Sequence, residues 1–202
     1  MPITTLADLR TLFAAPRERS VKKELPQLDA HCTRFIELSP LAVVSSVGLG
    51  GALDASPRGG QPGFVKVLDQ HTLLIPDSPG NNRLDTLENI VQTGQIGLLF
   101  LVPGVDETLR VNGTALLSTD AADIAACLDA KRTPKVVIRV TVQAAYLHCA
   151  KALMRSALWD ASRHIDRAAV MPSMGEMLKD QIGGDIPVET QAQMLVRYAQ
   201  DL

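Results

Sequence analysis

The sequence predicts an α+β fold with a mainly β core, an antiparallel six-stranded barrel flanked by helical segments. Three observations carry this. Short apolar or alternating runs recur between residues 41 and 147, separated by glycine- and proline-marked breaks. Few helical stretches lie between them, which argues against a doubly wound parallel sheet. Before Pro40 and after Tyr146 the apolar period lengthens to that of helices.

The elements follow in order. "TTLADLRTLF" offers Thr4 or Thr5 as a cap and Leu6, Leu9, Leu12 and Phe13 as an apolar stripe, until Pro16 interrupts it. "LDAHCTRFIEL" is a second helix, with Leu28, Cys32, Phe35 and Ile36 on one face and Pro40 as its end. "LAVVSSV" (41–47) is a strand bounded by glycines. "GFVKVLD" (63–69) and "HTLLIP" (71–76) are separated by a turn and read as a hairpin. "GQIGLLFLVPG" (94–104) is a continuous apolar run, as in a buried strand. "ETLRVNGTALLS" (107–118) alternates, with Gly113 as a bulge. "DAADIAACLDA" (120–130) is a helix, and "KVVIRVTVQAAYL" (135–147) is the clearest strand. "KALMRSALWDAS" and "VETQAQMLVRYAQDL" read as helices. So does "SMGEMLKDQIGG", which carries a capping box at Ser173 and Glu176 and closing glycines. One domain is expected over 1–202: a helical extension at about 1–39, the barrel at about 40–148 and a second helical extension at about 149–202.

Composition narrows the function classes. The net charge of −2 supplies no general basic field for nucleic acid. No apolar run reaches the roughly 20 residues of a membrane helix. Cys32, Cys127 and Cys149 lack metal-type spacing, and the four histidines form no HExxH motif, so no metal site is expected. An odd cysteine count without a signal peptide fits a reducing cytoplasm.

One loop stands out. In "IPDSPGNNRLDTLENI" (75–90) an apolar strand gives way to Gly-Asn-Asn-Arg at the mouth of a helix. A helix N-terminus presents free N–H groups and partial positive charge. Glycine and asparagine tolerate unusual backbone angles, and arginine grips a phosphate with two parallel bonds. The segment therefore reads either as a phosphate cradle or as a helix capped by Asn82 with a solvated Arg83. Two further clusters join a basic residue to small or polar ones. They are "DASPRGGQPGF" (54–64), placed between two strands, and "ETLRVNG" (107–113), with Arg110 inside a strand.

Taken together, "SPRG", "IPD", "GNNRLDTLENI" and "ETLRVNG" resemble the FMN-binding split-barrel family typified by pyridoxamine 5′-phosphate oxidase, over roughly residues 35–150. The similarity is to a branch of FMN-dependent members without an assigned substrate. It implies a split, Greek-key-like barrel and FMN as cofactor. It also implies a homodimer with two flavin sites in the subunit interface. By position, the resemblance assigns Ser56, Arg58 and Gly59 to the region beside the flavin. Pro76 and Asp77 fall at the strand end near the ring or ribityl chain. Asn81, Asn82 and Arg83 fall in the phosphate loop, and Arg110 on a flavin-facing strand. The loop lacks the serine and adjacent basic pair of the true pyridoxamine phosphate oxidases, and their C-terminal arginine–histidine signature is missing. The resemblance thus implies flavin binding rather than vitamin B6 chemistry.

Flavin carries the electron transfer itself, which suits a chain without an evident catalytic triad or carboxylate pair. The implied activity is an FMN-dependent oxidoreductase acting on a small molecule. The alternatives are a flavin- or haem-binding protein for sensing, storage or stress with little turnover, or a split barrel that uses a deazaflavin. "YLHCAKALMRSALW" (146–159) is the remaining polar cluster. His148, Lys151 and Trp159 are candidate substrate contacts there. The alternative reading of the segment is a strand-to-helix junction with a buried thiol at Cys149, an exposed Lys151 and a tryptophan packing the dimer.

Overall fold

Alternating side chains build one antiparallel sheet around an inward-facing apolar layer. The computed structural model describes residues 2–78, 80–129, 132–184 and 187–200. Among these, the first compact unit (residues 1–156) begins with three helices, α1 (Leu6–Leu12), α2 (Glu18–Lys22) and α3 (Ala30–Leu38). The strands are β1 (Leu41–Val47), β2 (Leu53–Gly59), β3 (Lys66–Asp69), β4 (Thr72–Pro76), β5 (Gln95–Leu101), β6 (Thr108–Ser118) and β7 (Val137–His148). Helix α4 (Asp85–Thr93) joins β4 to β5, α5 (Ala121–Ala126) joins β6 to β7, and α6 (Lys151–Ser156) follows β7.

The strand order is β2-β1-β5-β6-β7-β4-β3. Every neighbouring pair is antiparallel, and the sheet does not close, so β2 and β3 are its edges. The expected split-barrel class holds, with one correction: the sheet has seven strands, not six. The added strand is β2, built from "LDASPRG", which the sequence placed in a loop. Pro57 and its neighbouring polar residues hide the pattern, because Pro is tolerated at a sheet edge and β2 is one.

The inward face holds the core. Ala42, Val44, Leu98, Phe100, Leu109, Val111, Val140 and Val142 are buried there against Leu28, Cys32 and Ile36 near α3 and Leu87 and Ile90 of α4. Cys32, Phe35 and Ile36 form the packing face expected of α3, while Leu28, expected on that face, precedes the Asp29 cap and is buried in the same core. Asp29 caps that helix by accepting from the Cys32 N–H. Burial of the Cys32 and Cys127 thiols pushes each up to about 11. Helix α1 is capped by Thr5, and its apolar residues Leu6, Leu12 and Phe13 are exposed. A smaller cluster of Leu74, Cys127 and Val137 packs with Ile124 of α5.

Two glycines set local geometry. Gly94 ends α4 in the left-handed region, with φ of 66° and its N–H bonded to the Ile90 carbonyl. Gly113 sits where the β6–β7 register shifts, as the sequence predicted of a bulge. There a Cβ would lie 2.0 Å from the Thr141 carbonyl oxygen.

The second compact unit, residues 157–202, begins where α6 stops. The expected single helix across 151–162 is interrupted at Ala157, whose φ is 48°. A 3-10 turn at Ala161–Arg163 and helices α7 (Arg167–Val170), α8 (Met174–Ile182) and α9 (Gln191–Tyr198) follow. Ser173 and Glu176 form the expected capping box of α8, and Thr190 and Gln193 form another on α9. No helix among the described residues is long and apolar enough to cross a membrane.

Gly113→Ala tests the bulge. The clash is with backbone, so overpacking of at least about 1–3 kcal/mol is expected, read as a lower urea midpoint. Gly50→Ala, where a Cβ meets nothing within 4 Å, should stay within about 0.5 kcal/mol. Equal stability of the two variants would contradict the close strand approach at Gly113.

Candidate functional site

Alternation along β2 places Asp54, Ser56 and Arg58 on one face, half-buried, while the residues between them are exposed. Their register partners Ser46, Val44 and Ala42 are buried, so this is the inward face. Helix α4 lies against it. The Thr86 hydroxyl, in the helix's first turn and 2% exposed, donates to Asp54 Oδ2. It accepts from Arg58 Nη2 at 3.2 Å. Ser56 donates to Asp54 Oδ1 at 2.8 Å. Arg58 also donates to the Pro57 carbonyl at 3.1 Å. Two contacts, both through the Thr86 hydroxyl, thus tie the edge strand to the start of α4.

The loop before α4 has an ordered shape. Asn81 Oδ1 accepts from the Arg83 N–H at 3.0 Å, and Asn82 takes a left-handed φ of 59°. The helix's N-cap is Leu84, and no side chain caps the first turn. Asn82 is therefore not the cap that one reading of the sequence assigned. Arg83 is exposed and pairs with Asp85 at 2.6 Å. That carboxylate raises the Arg83 pKa further above its ordinary value. Further back, Pro76 ends β4 and the Asp77 N–H bonds the Val136 carbonyl at 3.0 Å. Gly59, the last residue of β2, is exposed.

Arg110 lies elsewhere. It is half-buried on β6, opposite Leu99 of β5 and Tyr146 of β7. Leu99 pairs with Val43, and Val43 with Pro57. Arg110 therefore points to the face of the sheet opposite Arg58, whose row runs through Ala42, Phe100 and Leu109. Its guanidinium carbon lies 4.3 Å from the Tyr146 ring centroid, and its buried Nε has no hydrogen-bond partner. His148 packs on the same ring at 4.9 Å. Burial, then the charges of Arg110 and Lys23, hold its pKa below the ordinary value. Lys151 opens α6 and is exposed, as is Cys149. Trp159 is half-buried within the second unit.

The fold and these positions can be set against known proteins. The family model described as pyridoxamine 5′-phosphate oxidase matches residues 28–149, more than half of the chain. The chain belongs to that family. Among solved structures, HupZ of Group A Streptococcus is 21% identical with a TM-score of 0.50, covering 59% of this chain and 93% of its own. At that identity the likeness speaks for the fold. General Stress Protein 26 of Bacillus anthracis is 13% identical with a TM-score of 0.44, covering 57% of this chain and 88% of that one. An FMN-binding protein of Syntrophomonas wolfei is 11% identical with a TM-score of 0.43, covering 58% and 81%. No curated protein matches the chain.

The structure thus groups the expected residues into two sets. Ser56, Arg58 and the 81–83 loop meet around the start of α4, whereas Arg110 and His148 share the opposite face. Sequence reasoning missed Asp54 and Thr86. The spacing of Asp54, Ser56 and Arg58 at i, i+2 and i+4 was a signal for both the strand and the shared face. It also missed Lys23 and Tyr146, whose meeting depends on tertiary pairing.

Thr86→Val removes the hydroxyl shared by Asp54 and Arg58. Because Thr86 is buried, the variant should lose about 1–3 kcal/mol in urea unfolding. Ser56→Ala, which leaves Thr86 bonded to Asp54, should cost less. A Thr86→Val protein as stable as the parent would mean that the link does not hold α4.

Proposed function

We propose that the protein binds FMN and acts as an FMN-dependent oxidoreductase on a small molecule, at a flavin site completed by a second copy of the chain. The observation that carries the reading is the uncapped start of α4. Its first-turn N–H groups have no side-chain cap, and the preceding loop, shaped by Asn81 and Asn82, presents an exposed Arg83. That combination suits a phosphate group. It occurs in a chain of the pyridoxamine 5′-phosphate oxidase family, matched across this segment.

In this reading Asn81, Asn82 and Arg83 hold the phosphate, with Arg83 exchanging Asp85 for it. Arg58, through Thr86, fixes the helix end that receives it. Gly59, Pro76 and Asp77 border the site. A bound flavin supplies two-electron redox chemistry, and the chain's residues bind, orient and shield it. Arg110 faces away from Arg58 within one chain, so it reaches such a flavin only from a second copy. This supports a homodimer with two interface sites. The unpaired sheet edges and the exposed Leu41, Leu49 and Leu53 around β1 and β2 support it too. Three free cysteines fit a reducing, cytoplasmic setting.

Arg83→Ala tests the phosphate role. FMN affinity should fall roughly tenfold to a hundredfold by flavin-fluorescence titration, with Arg83→Lys recovering only part of it. Riboflavin lacks the phosphate, so its affinity should hardly change. Equal losses for both ligands would remove the phosphate contact, and a protein that binds neither would remove the flavin reading. Bleaching of the flavin band by NADH or NADPH, followed by reoxidation with candidate substrates, separates an enzyme from a carrier.

Assembly is a separate prediction. Light scattering should report a dimer at low micromolar concentration. A monomer that binds FMN with full affinity would contradict the shared site.

A further inference from the structure

Tyr146 gathers more positive charge than the rest of the described structure balances. Arg110 approaches its ring from β6 at 4.3 Å. Lys23, just after α2, places Nζ 5.0 Å from the same centroid and donates to the Leu147 carbonyl at 2.8 Å. This position is held by the backbone. Leu25 and Ala145 exchange reciprocal N–H···O bonds of 3.0 and 2.9 Å, which fasten the segment after α2 to the free flank of β7. Beside Lys23, α2 carries Arg19 and Lys22 along an open depression of about 420 Å³ that Glu18 and Lys23 also line. Glu18 is paired with Lys22.

No carboxylate answers Arg110 or Lys23. Among the described residues neither makes an ion pair, and Arg110 Nε is buried without a hydrogen-bond partner. The nearest acidic residues in sequence, Glu24 and Glu107, are exposed and bonded to neither. His148 completes the ring of groups, and burial first, then both cations, push its pKa down. A neutral imidazole beside two fixed cations can donate or accept without adding repulsion. Arg110, half-buried and left unpaired in this way, is costly unless an anion arrives, and the exposed Lys23 beside it is free to reach the same anion.

We propose that Arg110, Lys23 and His148, arranged around Tyr146, form an oxyanion-binding site that takes the carboxylate or phosphate of the substrate. This names the substrate class of the proposed flavin reaction, a small anionic molecule. It rests on that reading for the ligand's role, not for its charge. Arginine supplies a planar fork, lysine a point charge and histidine a directional bond, a set that matches an oxyanion.

The test follows the His148 imidazole by NMR in the FMN-loaded protein. Sodium sulfate and sodium malonate are titrated in turn against sodium chloride at matched ionic strength. Sulfate or malonate should move the His148 signals saturably and raise its pKa, because a bound anion favours the imidazolium. Lys23→Gln should weaken that response about tenfold. FMN affinity of the variant, read separately by fluorescence, reports whether the cofactor site is intact. The same response to chloride would overturn the proposal, since only screening would remain. So would unchanged sulfate and malonate affinities in both Lys23→Gln and Arg110→Gln. If FMN added to the apoprotein shifts His148 and abolishes the sulfate response, the oxyanion is the cofactor's own phosphate and the substrate assignment falls. If the protein binds no FMN but sulfate still shifts His148, the flavin reading fails while the anion site stands.

Discussion

Helix α4 is fastened to the sheet by polar side chains, and the geometry of residues 80–84 before it depends on that fastening. At its start Thr86 is bonded to Asp54 and Arg58 of the edge strand. Along its length Asn89 donates to the Ser46 hydroxyl, Gln92 accepts from the Leu49 N–H, and Thr93 donates to the Val47 carbonyl. Leu87 and Ile90 supply the apolar contact. Apolar packing alone is non-directional, so Leu87 and Ile90 resist withdrawal of the helix more than its sliding. The hydrogen bonds at both ends fix its axial position and hence where the uncapped first turn presents its N–H groups. The inward-facing Asp54 has a further consequence. Its half-buried carboxylate is satisfied by two hydroxyls that donate to it, and one of these belongs to α4, so β2 and α4 support each other.

The period of two that builds the core also divides the polar residues. Arg58 and Arg110 look alike in sequence, each an arginine among small or polar neighbours. The register sends them to opposite faces. Inward, Arg58 donates to the Thr86 hydroxyl, which in turn donates to Asp54. Outward, Arg110 meets an aromatic ring and two other basic side chains. One sheet therefore carries two chemically distinct polar regions, and joining them at one ligand requires a second copy of the chain.

The strongest strands, the hairpin, the Gly113 bulge and the capped helix α8 were legible in the sequence, because each rests on local period or on a turn residue with a backbone reason. Strand β2 was not. Proline and polar residues at 54–59 suppress the apolar alternation, and the strand is held by tertiary partners instead, pairing with β1 along one flank and bonding to Thr86 of α4. The residues at 81–83 were visible as types, but the helix start was misplaced. Asn82 takes the left-handed angle instead of the cap, and its neighbour Asn81 makes the turn. The Tyr146 cluster was hidden for another reason. Lys23 and Leu147 are 124 positions apart, and no sequence period connects them.

The two polar regions differ in charge balance, and this decides how each can hold an anion. Around the start of α4, Arg58 and Arg83 stand among Asp54, Asp85 and Glu88, with Arg83 already paired to Asp85. A phosphate there gains little from net charge. It must be held by directed donors, the free N–H groups of the first turn and an arginine that changes partner, so selectivity rests on shape. Asp85 also sits in the helix's first turn, where its charge favours the macrodipole and competes with an incoming phosphate. Around Tyr146 the balance reverses, since among the described residues no carboxylate pairs with Arg110 or Lys23 and His148 is pushed toward neutrality. An anion there is drawn by uncompensated charge and then sorted by hydrogen-bond geometry. A cofactor that stays bound suits the first kind of site, in which affinity depends on many fixed donors. A ligand that must arrive and leave suits the second, where a steering field speeds encounter and fewer directed bonds slow release.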